Sequence, residues 1–328
     1  MTDLMTESGK VLAAFVTHNG AGSIRQTLAS VAWQTRPVEA CLVVDNASTD
    51  STLQQLDVPG LPETEVHFMI KNVGLPAAHN LIMRKAAAGG YDWVWIFDQD
   101  SCCEPDCLEQ LLACARASAE KGQMPAVLFP DISLAGHPDF KLVPVLWTGT
   151  GVRDAVFPEA PEVTFTKVHS SISSGSLYHV PQTAETRFTD DFFIDYSDHD
   201  FHLRLHQKGA LMLWVSQARM AHGLGRALSG TEGGVSIFHK PWRYYFIVRN
   251  MLLMHYDLAG IWGVFGALAY LKKQYGILKA VQPDFDSARC YCLKGLLHAP
   301  VFMLGFRNIH AGILREAALV PKNGNDLK

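Results

Sequence analysis

Short apolar runs alternate with amphipathic segments along the N-terminal third of the chain. The run at residues 94–97 is wholly apolar, with β-branched and aromatic residues, which predicts a strand buried on both faces. The run at 11–16 predicts another buried strand, and further strands are predicted at 41–44 and 66–70. Between them, apolar positions at helical spacing predict a helix at about 23–34, stopped by Pro37, and another at 77–88, with Pro76 in its first turn. Strands and helices that alternate through short connections predict an α/β fold with a parallel sheet.

The predicted strands end in polar or glycine residues, and the fourth strand runs directly into Asp98 and Asp100. Open α/β sheets bind their ligands at the carboxyl ends of the strands. Two carboxylates separated by one residue would allow one to face a ribose and the other a divalent cation such as Mg²⁺ or Mn²⁺. The alternative interpretation is a helix start, in which Asp100 or Ser101 caps a helix at residues 104–119.

The middle of the chain is less regular. We expect a helix at 104–122, a strand at 125–129, only loops and short strands from 130 to 167, and a strand at 211–215. A helix that begins near Ser197 would place Asp198, His202 and His206 on one face. Because the adjoining glutamate of the zinc-protease motif is missing, we favour histidines that face solvent or a cleft over a zinc site.

Composition narrows the class of protein. The chain has 328 residues, of which 48% are hydrophobic, and its net charge of −4 lacks the basic footprint of a nucleic-acid binder. Its seven cysteines include no C-x-x-C pair, which argues against a zinc knuckle and indicates a reduced, cytosolic protein. Residues 1–10 are polar and lack a signal-peptide pattern, so we expect a cytoplasmic location.

An apolar run at residues 258–271 contains Trp262 and Phe265 and is followed by Lys272 and Lys273. It is too short for a comfortable membrane span, which needs about 20 residues. Two interpretations stay open: a helix that lies in the bilayer interface, attached peripherally to the inner membrane face, or a buried helix pair that packs on the rest of the protein.

Four motifs resemble those of family-two glycosyltransferases in the same order: FVTHN at 15–19, VVDNASTD at 43–50, NVG at 72–74 and DQD at 98–100. The resemblance covers residue 11 to about residue 224. It implies a GT-A fold, which is a Rossmann-like, mostly parallel sheet flanked by helices, and a nucleotide-sugar donor.

By this resemblance, residues of the first two motifs line the nucleoside pocket: Thr17, Asn19 and Asp45. Asp45 would read the base, and an Asx-turn role for it stays open as an equal alternative. The same resemblance assigns further residues to the donor, with substrate binding by Asn72 and Gly74, a ribose contact by Asp98, and a Mg²⁺ or Mn²⁺ ion on Asp100.

The second half of the resemblance concerns the donor sugar and the acceptor. It places Ser174 and Gly175, in the serine-rich segment 170–178, beside the sugar and diphosphate. It also implies that His222 completes the metal site, although an isolated histidine is more often structural.

Segment 192–204 resembles the acidic motif in which an aspartate deprotonates the acceptor. Ser197 stands where the family has a glutamate, so Asp198 and Asp200 both remain candidates for this base. We choose Asp198 for its offset from Arg204, and assign Asp200 and Arg204 to substrate binding. The alternative role for Asp198 is a first-turn residue that stabilises the helix dipole.

These expectations combine into one hypothesis for the whole chain. Residues 1–228 would form the catalytic domain, with a nucleotide-sugar half at 1–122 and an acceptor half at 123–228, and residues 229–328 a helical extension. Segment 242–250 resembles one found in bacterial rhamnosyltransferases of the family.

We therefore expect an inverting, metal-dependent transfer of L-rhamnose from dTDP-rhamnose to a saccharide or lipid-linked acceptor in cell-surface polysaccharide synthesis. Alternatives are a galactofuranosyl- or other hexosyltransferase that uses a dTDP- or UDP-sugar, and a non-catalytic nucleotide-sugar binder. A dehydrogenase is disfavoured because no G-x-G-x-x-G follows the first strand. Homo-oligomerisation stays open.

Overall fold

The computed structural model describes residues 9–156, 165–223, 226–229 and 235–305. The chain forms two compact units, one of residues 1–148 and 152–224 and the other of residues 149–151 and 225–328.

The first unit holds most of the regular structure. Its strands are β1 Val11–Thr17, β2 Ala40–Asp45, β3 Thr64–Phe68, β4 Trp93–Asp98, β5 Ser101–Cys103, β6 Val127–Leu134, β7 His137–Leu142, β8 Val145–Trp147, β9 Val152–Asp154, β10 Phe165–Lys167, β11 Leu177–His179 and β12 Met212–His222. Its helices are α1 Ile24–Ala32, α2 Leu75–Ala88, α3 Cys107–Ala119, α4 Val180–Thr183 and α5 Ser197–Gln207, with short 3₁₀ turns at Leu53–Gln55 and Asp190–Phe192.

One large sheet organises this unit. Its strand order is β10-β12-β6-β11-β4-β1-β2-β3, with β5 paired to β12 and β7 to β6. Strands β4, β1, β2 and β3 run parallel, as do β6 and β12, whereas β11 is antiparallel to both its neighbours. Thr17 lies opposite Asp45, and Val16 opposite Asp98. The carboxyl ends of β1, β2 and β4 therefore lie level at one edge of the sheet.

Strands β1, β2 and β4 are buried on both faces because helices cover each side, whereas the edge strand β3 is partly exposed. On one face, α1 and α3 pack against the sheet through Leu28 and Leu111, next to Phe15. On the other face, α2 and α5 contribute Ile82 and Phe201. Since each such side chain contributes about 1.5–3 kcal/mol when fully buried, a strand covered on both faces favours an unbroken apolar run over an alternating one.

The strands and helices predicted up to residue 98 are confirmed, with ends that differ by at most two residues. The helix predicted at 104–122 begins instead at Cys107, and its N-cap is Asp106. Residues 101–103 form β5, whose antiparallel pairing with β12 keeps the chain extended, and the Ser101 N–H donates to Thr27 Oγ1 at 3.1 Å. The interpretation of Asp100 or Ser101 as a helix cap is therefore wrong.

The strands downstream are longer than their apolar cores predict. The strand predicted at 125–129 is β6, which continues to Leu134, and the irregular region up to residue 167 includes the short strands β7 to β10. The strand predicted at 211–215 is β12, which reaches His222 after a register shift between Val215 and Arg219.

The histidines of α5 do not all face solvent or a cleft. His202 is fully buried, with Nε2 2.9 Å from the Tyr178 hydroxyl and Nδ1 3.0 Å from the carbonyl oxygen of Ser171. The ring of His206 stacks on that of His169, with centroids 3.6 Å apart. The predicted outward orientation is wrong for His202, because Tyr178 of β11 and the Ser171 carbonyl, in the segment before β11, supply partners for its two ring nitrogens.

The second unit contains a hairpin and two helices: β13 Arg226–Ser229, β14 Val235–Phe238, α6 Arg243–Val281 and α7 Phe285–Met303. Helix α6 is broken at Ala259 and Gly260, where the backbone leaves helical geometry and Gly260 takes a φ of +58°. Before the break, the guanidinium of the buried Arg249 lies 4.5–5.2 Å from the centroids of three aromatic rings, those of Tyr245, Phe246 and Phe302.

In the described residues, α6 is long and apolar enough to cross a membrane. Only its length and composition support this, and the core helix of a soluble protein can have the same length and composition.

One buried group makes the first unit sensitive to acid. His79 of α2 is 2% exposed, and its ring packs on Phe188 with centroids 4.8 Å apart. Neither ring nitrogen of His79 has a hydrogen-bond partner within the described structure. Burial lowers the pKa of His79 from 6.5 to about 4.

We predict that His79 costs the protein stability below neutral pH. The unfolded chain protonates this histidine near pH 6.5, whereas the folded chain does so only near pH 4, so stability falls as the pH drops through that window. The expected loss from this residue is about 2–3 kcal/mol between pH 7 and pH 4.5. Urea unfolding of a His79→Leu variant should lack this component, whereas His67→Leu, at a half-exposed position, should keep it. An unchanged pH dependence in His79→Leu would contradict the prediction.

Candidate functional site

Three side chains that suit a divalent cation meet at the carboxyl end of β4. Asp98 ends β4, Asp100 follows it, and His222 ends β12. His222 Nδ1 lies 3.5 Å from Asp100 Oδ1, and its Nε2 lies 4.0 Å from Asp98 Oδ2. One ligand atom from each residue lies within 4.8 Å of the others. Two carboxylates and an imidazole fit Mn²⁺ well, whereas Mg²⁺ takes mainly oxygen ligands.

The nearby cysteine is not part of this donor set. Burial, and then the Asp100 carboxylate, raises the pKa of the Cys102 thiol. Within the described residues, the candidate ligands that lie together are the two carboxylates and His222.

Gln99, between the two carboxylates, joins the metal cluster to the end of β1. Its Oε1 accepts from the Thr17 hydroxyl at 2.9 Å and from the His18 N–H at 2.8 Å. Gln99 lies in the turn between β4 and β5, and no pattern in the sequence singles it out. Thr17 is therefore fixed beside the triplet, in the pocket to which the resemblance assigns it.

Asp45 has one engaged oxygen and one that is not engaged. The residue is 3% exposed at the end of β2, and its Oδ2 accepts from the Ser48 N–H at 3.2 Å. Its Oδ1 is buried without a hydrogen-bond partner in the described structure. The Asx-turn alternative therefore accounts for one oxygen, and the other is left as an acceptor for a ligand N–H group. A buried acceptor with no partner costs about 1–3 kcal/mol.

Asn19 joins the loop after β1 to the loop after β2. It has a φ of +53°, its N–H donates to Ser48 Oγ at 2.9 Å, and its Oδ1 accepts from the Thr49 N–H at 2.9 Å. Asn19 therefore shapes the wall of the same pocket.

Asn72 and Gly74 form the loop that leads into α2. Asn72 Oδ1 accepts from the Gly74 N–H at 2.9 Å. The N–H of the next residue, Leu75, donates to the Phe193 carbonyl at 2.8 Å. Gly74 has a φ of +84°, and an added Cβ would collide with that carbonyl oxygen. Glycine is required here by a close approach of two backbones; a substrate contact by Asn72 or Gly74 stays a prediction.

Ser174 and Gly175 pack against β4 directly behind the metal cluster. Ser174 Oγ accepts from the Asp98 N–H at 2.9 Å, and the Gly175 carbonyl accepts from the Trp95 indole at 2.8 Å. Gly175 has a φ of +75°, and an added Cβ would collide with Met220. The two residues thus lie beside the predicted donor site, with Ser174 buried.

Asp198 and Asp200 lie in the first turn of α5 in different surroundings. Asp198 is half-buried, and its Oδ1 accepts from the His199 N–H at 2.8 Å. Asp200 is 1% exposed, pairs with Arg204 Nη2 at 2.7 Å, and accepts from the Thr189 hydroxyl at 2.7 Å. This ion pair holds the start of α5, so its geometry favours a structural role, and substrate binding by Asp200 and Arg204 stays a prediction.

Comparison with known proteins supports the resemblance seen in the motifs. Residues 13–127 match the family model Glycosyl transferase family 2. Over 114 residues the chain is 37% identical to galactofuranosyltransferase GlfT1 of Mycobacterium tuberculosis, which covers 34% of this chain and 36% of that protein. Over 215 residues it is 26% identical to dTDP-rhamnosyl transferase RfbF of Shigella flexneri, which covers 65% of this chain and 69% of that protein. The chain thus spans about a third of the length of the galactofuranosyltransferases it matches.

Solved structures share the fold. S. aureus TarS 1-349 in complex with UDP-GlcNAc superposes with a TM-score of 0.55 and 17% identity, over 88% of this chain and 79% of that one. GalNAc-T7 with UDP, GalNAc and Mn²⁺ superposes with a TM-score of 0.55 and 15% identity, over 74% of this chain and 47% of that one. The predicted GT-A fold, a mixed α/β sheet flanked by helices and followed by C-terminal helices, is confirmed.

We predict that Gly223 keeps the space needed by the Asp100 carboxylate. Its N–H donates to the Asp100 carbonyl at 2.9 Å, and an added Cβ would lie 2.8 Å from Asp100 Oδ2. Gly223→Ala should therefore displace the carboxylate and weaken Mn²⁺ binding about tenfold or more in calorimetry. Gly22→Ala, where an added Cβ meets nothing within 4 Å, is the control. Equal Mn²⁺ affinity in both variants would remove Asp100 from the ligand set.

Proposed function

From the match of residues 13–127 to family-two glycosyltransferases, we propose that this chain is an inverting, metal-dependent glycosyltransferase. Its preferred reaction is transfer of L-rhamnose from dTDP-rhamnose to a saccharide or lipid-linked acceptor. The observation that carries the proposal is the cluster of Asp98, Asp100 and His222 at the sheet edge that also holds Asp45. A cation held there would offset the charge that develops on the nucleoside diphosphate leaving group.

The unpartnered Oδ1 of Asp45 supports recognition of a pyrimidine base. It is a buried acceptor, and the imide N–H of thymine or uracil is a donor that would satisfy it. Both bases carry this N–H, so Asp45 would accept thymine and uracil alike and would not distinguish dTDP-sugars from UDP-sugars.

The choice of sugar rests on the relatives. The match to dTDP-rhamnosyl transferase RfbF extends over 215 residues, whereas the match to galactofuranosyltransferase GlfT1 extends over 114. The longer match supports rhamnose, and the higher identity of the shorter one keeps galactofuranose as the alternative.

Asp198 is the proposed base. The acceptor oxygen would bond to the anomeric carbon as the bond from that carbon to the diphosphate oxygen breaks, and Asp198 would take the acceptor's proton. The surroundings of the two aspartates support this choice, because Asp200 is buried in its pair with Arg204 whereas Asp198 is half-buried. A base must reach its substrate by a direct hydrogen bond or through one water.

We predict that Asp198→Asn separates an enzyme from a non-catalytic binder. The measurement is Mn²⁺-dependent release of nucleoside diphosphate from a panel of dTDP-rhamnose, UDP-galactofuranose and UDP-hexoses. With the preferred donor, turnover of Asp198→Asn should fall by about 10²–10⁴-fold while donor affinity stays near normal. Asp200→Asn, measured per folded molecule, should lose much less.

Three outcomes of this assay count against parts of the proposal. Loss of turnover only in Asp200→Asn would reassign the base. Full turnover in both variants would make the acidic motif structural. Donor binding without release of nucleoside diphosphate by the wild type would favour the binder.

We also propose that α6 contacts the membrane surface after its break. Four large apolar side chains on one side of the helix are exposed: Ile261 by 56%, Trp262 by 70%, Phe265 by 57% and Leu268 by 40%. Lys272 and Lys273 follow them. Exposed aromatic residues next to lysines fit a helix in the interface of an anionic bilayer, and this exposure counts against the buried helix pair.

We predict that the double variant Trp262→Ser, Phe265→Ser loses sedimentation with anionic liposomes. The wild type should sediment and do so less at high salt, because lysines contribute electrostatic attraction. Trp33→Ser removes an equally exposed aromatic residue from the first unit, where Trp33 is 74% exposed, and should behave as the wild type. Equal sedimentation of all three proteins would show that Trp262 and Phe265 do not contact the membrane.

A further inference from the structure

Two buried serines connect His222 to the backbone of β4. Ser101 Oγ lies 2.8 Å from His222 Nδ1 and 2.6 Å from Ser174 Oγ, and Ser174 Oγ accepts from the Asp98 N–H at 2.9 Å. Both serines are fully buried. A continuous chain of hydrogen bonds therefore joins two candidate metal ligands from behind.

The hydrogen atoms in this chain have two consistent arrangements. In one, Ser174 donates to Ser101 and Ser101 donates to His222 Nδ1, so a neutral His222 carries its proton on Nε2. In the other, Nδ1 carries the proton and donates to Ser101, which donates to Ser174, and Nε2 carries the lone pair. To pass from one arrangement to the other, the hydroxyl groups rotate and the imidazole loses its proton at Nε2 and gains one at Nδ1 through exchange with solvent.

Only the second arrangement suits a cation. Since Nδ1 faces Ser101 inside the protein, Nε2 is the nitrogen available for coordination, and it lies 4.0 Å from Asp98 Oδ2. Asp100 Oδ1, 3.5 Å from Nδ1, favours a proton on Nδ1 through its charge. Metal-bound histidines usually donate their other N–H to a fixed acceptor, which sets the tautomer and the ring orientation.

We propose that Ser101 is a positioning residue for the cation site, supported by Ser174. Ser101 accepts the Nδ1 hydrogen of His222, which leaves Nε2 as the ligand and spares Asp100 from that hydrogen bond. Without the hydroxyl, Asp100 Oδ1 would be the acceptor for Nδ1–H and would be less available to the cation. The proposal rests on the proposed metal dependence and adds two residues to it.

The serines are themselves held rigidly. The Ser101 N–H donates to Thr27 Oγ1 at 3.1 Å, and the Thr27 hydroxyl donates to the Gln99 carbonyl at 2.9 Å. Ser174 precedes Gly175, whose carbonyl is bound by the Trp95 indole at 2.8 Å. Because these partners are themselves fixed, they hold the His222 ring in one orientation. Residues that contact a metal ligand commonly orient it in this way.

The test is a double-mutant cycle on Mn²⁺ affinity, measured by calorimetry on the full chain with the metal alone. Ser101→Ala should weaken Mn²⁺ binding by about 10–100-fold in the wild-type background and by less than about twofold in a His222→Ala background. Pulsed electron spin resonance should show a nitrogen coupled to Mn²⁺ in the wild type, and a weaker coupling in Ser101→Ala.

Two control variants distinguish loss of the Ser101 hydroxyl from a general effect of removing a buried serine and from a failure to fold. Ser176→Ala removes an equally buried serine that donates to the Ile172 carbonyl at 2.7 Å, and should leave Mn²⁺ affinity unchanged. Ser101→Cys keeps the volume with a weaker partner and should give an intermediate affinity if Ser101→Ala does not fold.

Two results would overturn the role of Ser101: unchanged Mn²⁺ affinity in Ser101→Ala, or an equal loss with and without His222. A wild-type protein that binds no Mn²⁺ would instead remove the metal site on which the proposed function rests.

Discussion

The antiparallel pairing of β5 with the end of β12 is the interaction on which the site depends. It sets Ser101 opposite His222, which is 121 residues further along the chain. Side chains alternate along a strand, so a slip of one residue would turn His222 away from Asp100. The register shift in β12 between Val215 and Arg219 precedes this pairing, so the outer part of the strand has its own alignment with β6. The pairing of strands in the sheet therefore sets the geometry of the candidate cation site.

A second polar network fixes helix α5 in the same unit. Asp200, Arg204 and Thr189 hold the start of α5, while His202 is anchored to Tyr178 on the buried face of the helix. Burial lowers the pKa of His202 and raises that of Tyr178, so both groups stay neutral. Neutral, fully paired groups carry no charge desolvation cost, and they leave Asp198 on a rigid helix end.

Much of the first unit could be predicted from local patterns, because a strand covered by helices on both faces leaves an unbroken apolar run. The same runs locate the carboxyl ends where Thr17, Asp45 and Asp98 lie level. The contacts of Ser101 and His202 could not be predicted this way. Their partners lie far away in the sequence. A single serine or histidine is not part of the repeating apolar positions from which strands and helices are predicted. The ends of β6 and β12 were missed because polar residues continue both strands beyond their apolar cores.

The unpartnered oxygen of Asp45 would link the proposed donor binding to the lifetime of the protein in the cell. The unsatisfied acceptor makes the ligand-free folded protein less stable. Any ligand that donates an N–H to it favours the folded state by mass action. At a ligand concentration one hundred times its Kd, the added stability is about 2.7 kcal/mol. Because proteases act on the unfolded fraction, abundance would follow the supply of donor nucleotide: a cell depleted of that nucleotide would clear the protein faster than one that is well supplied.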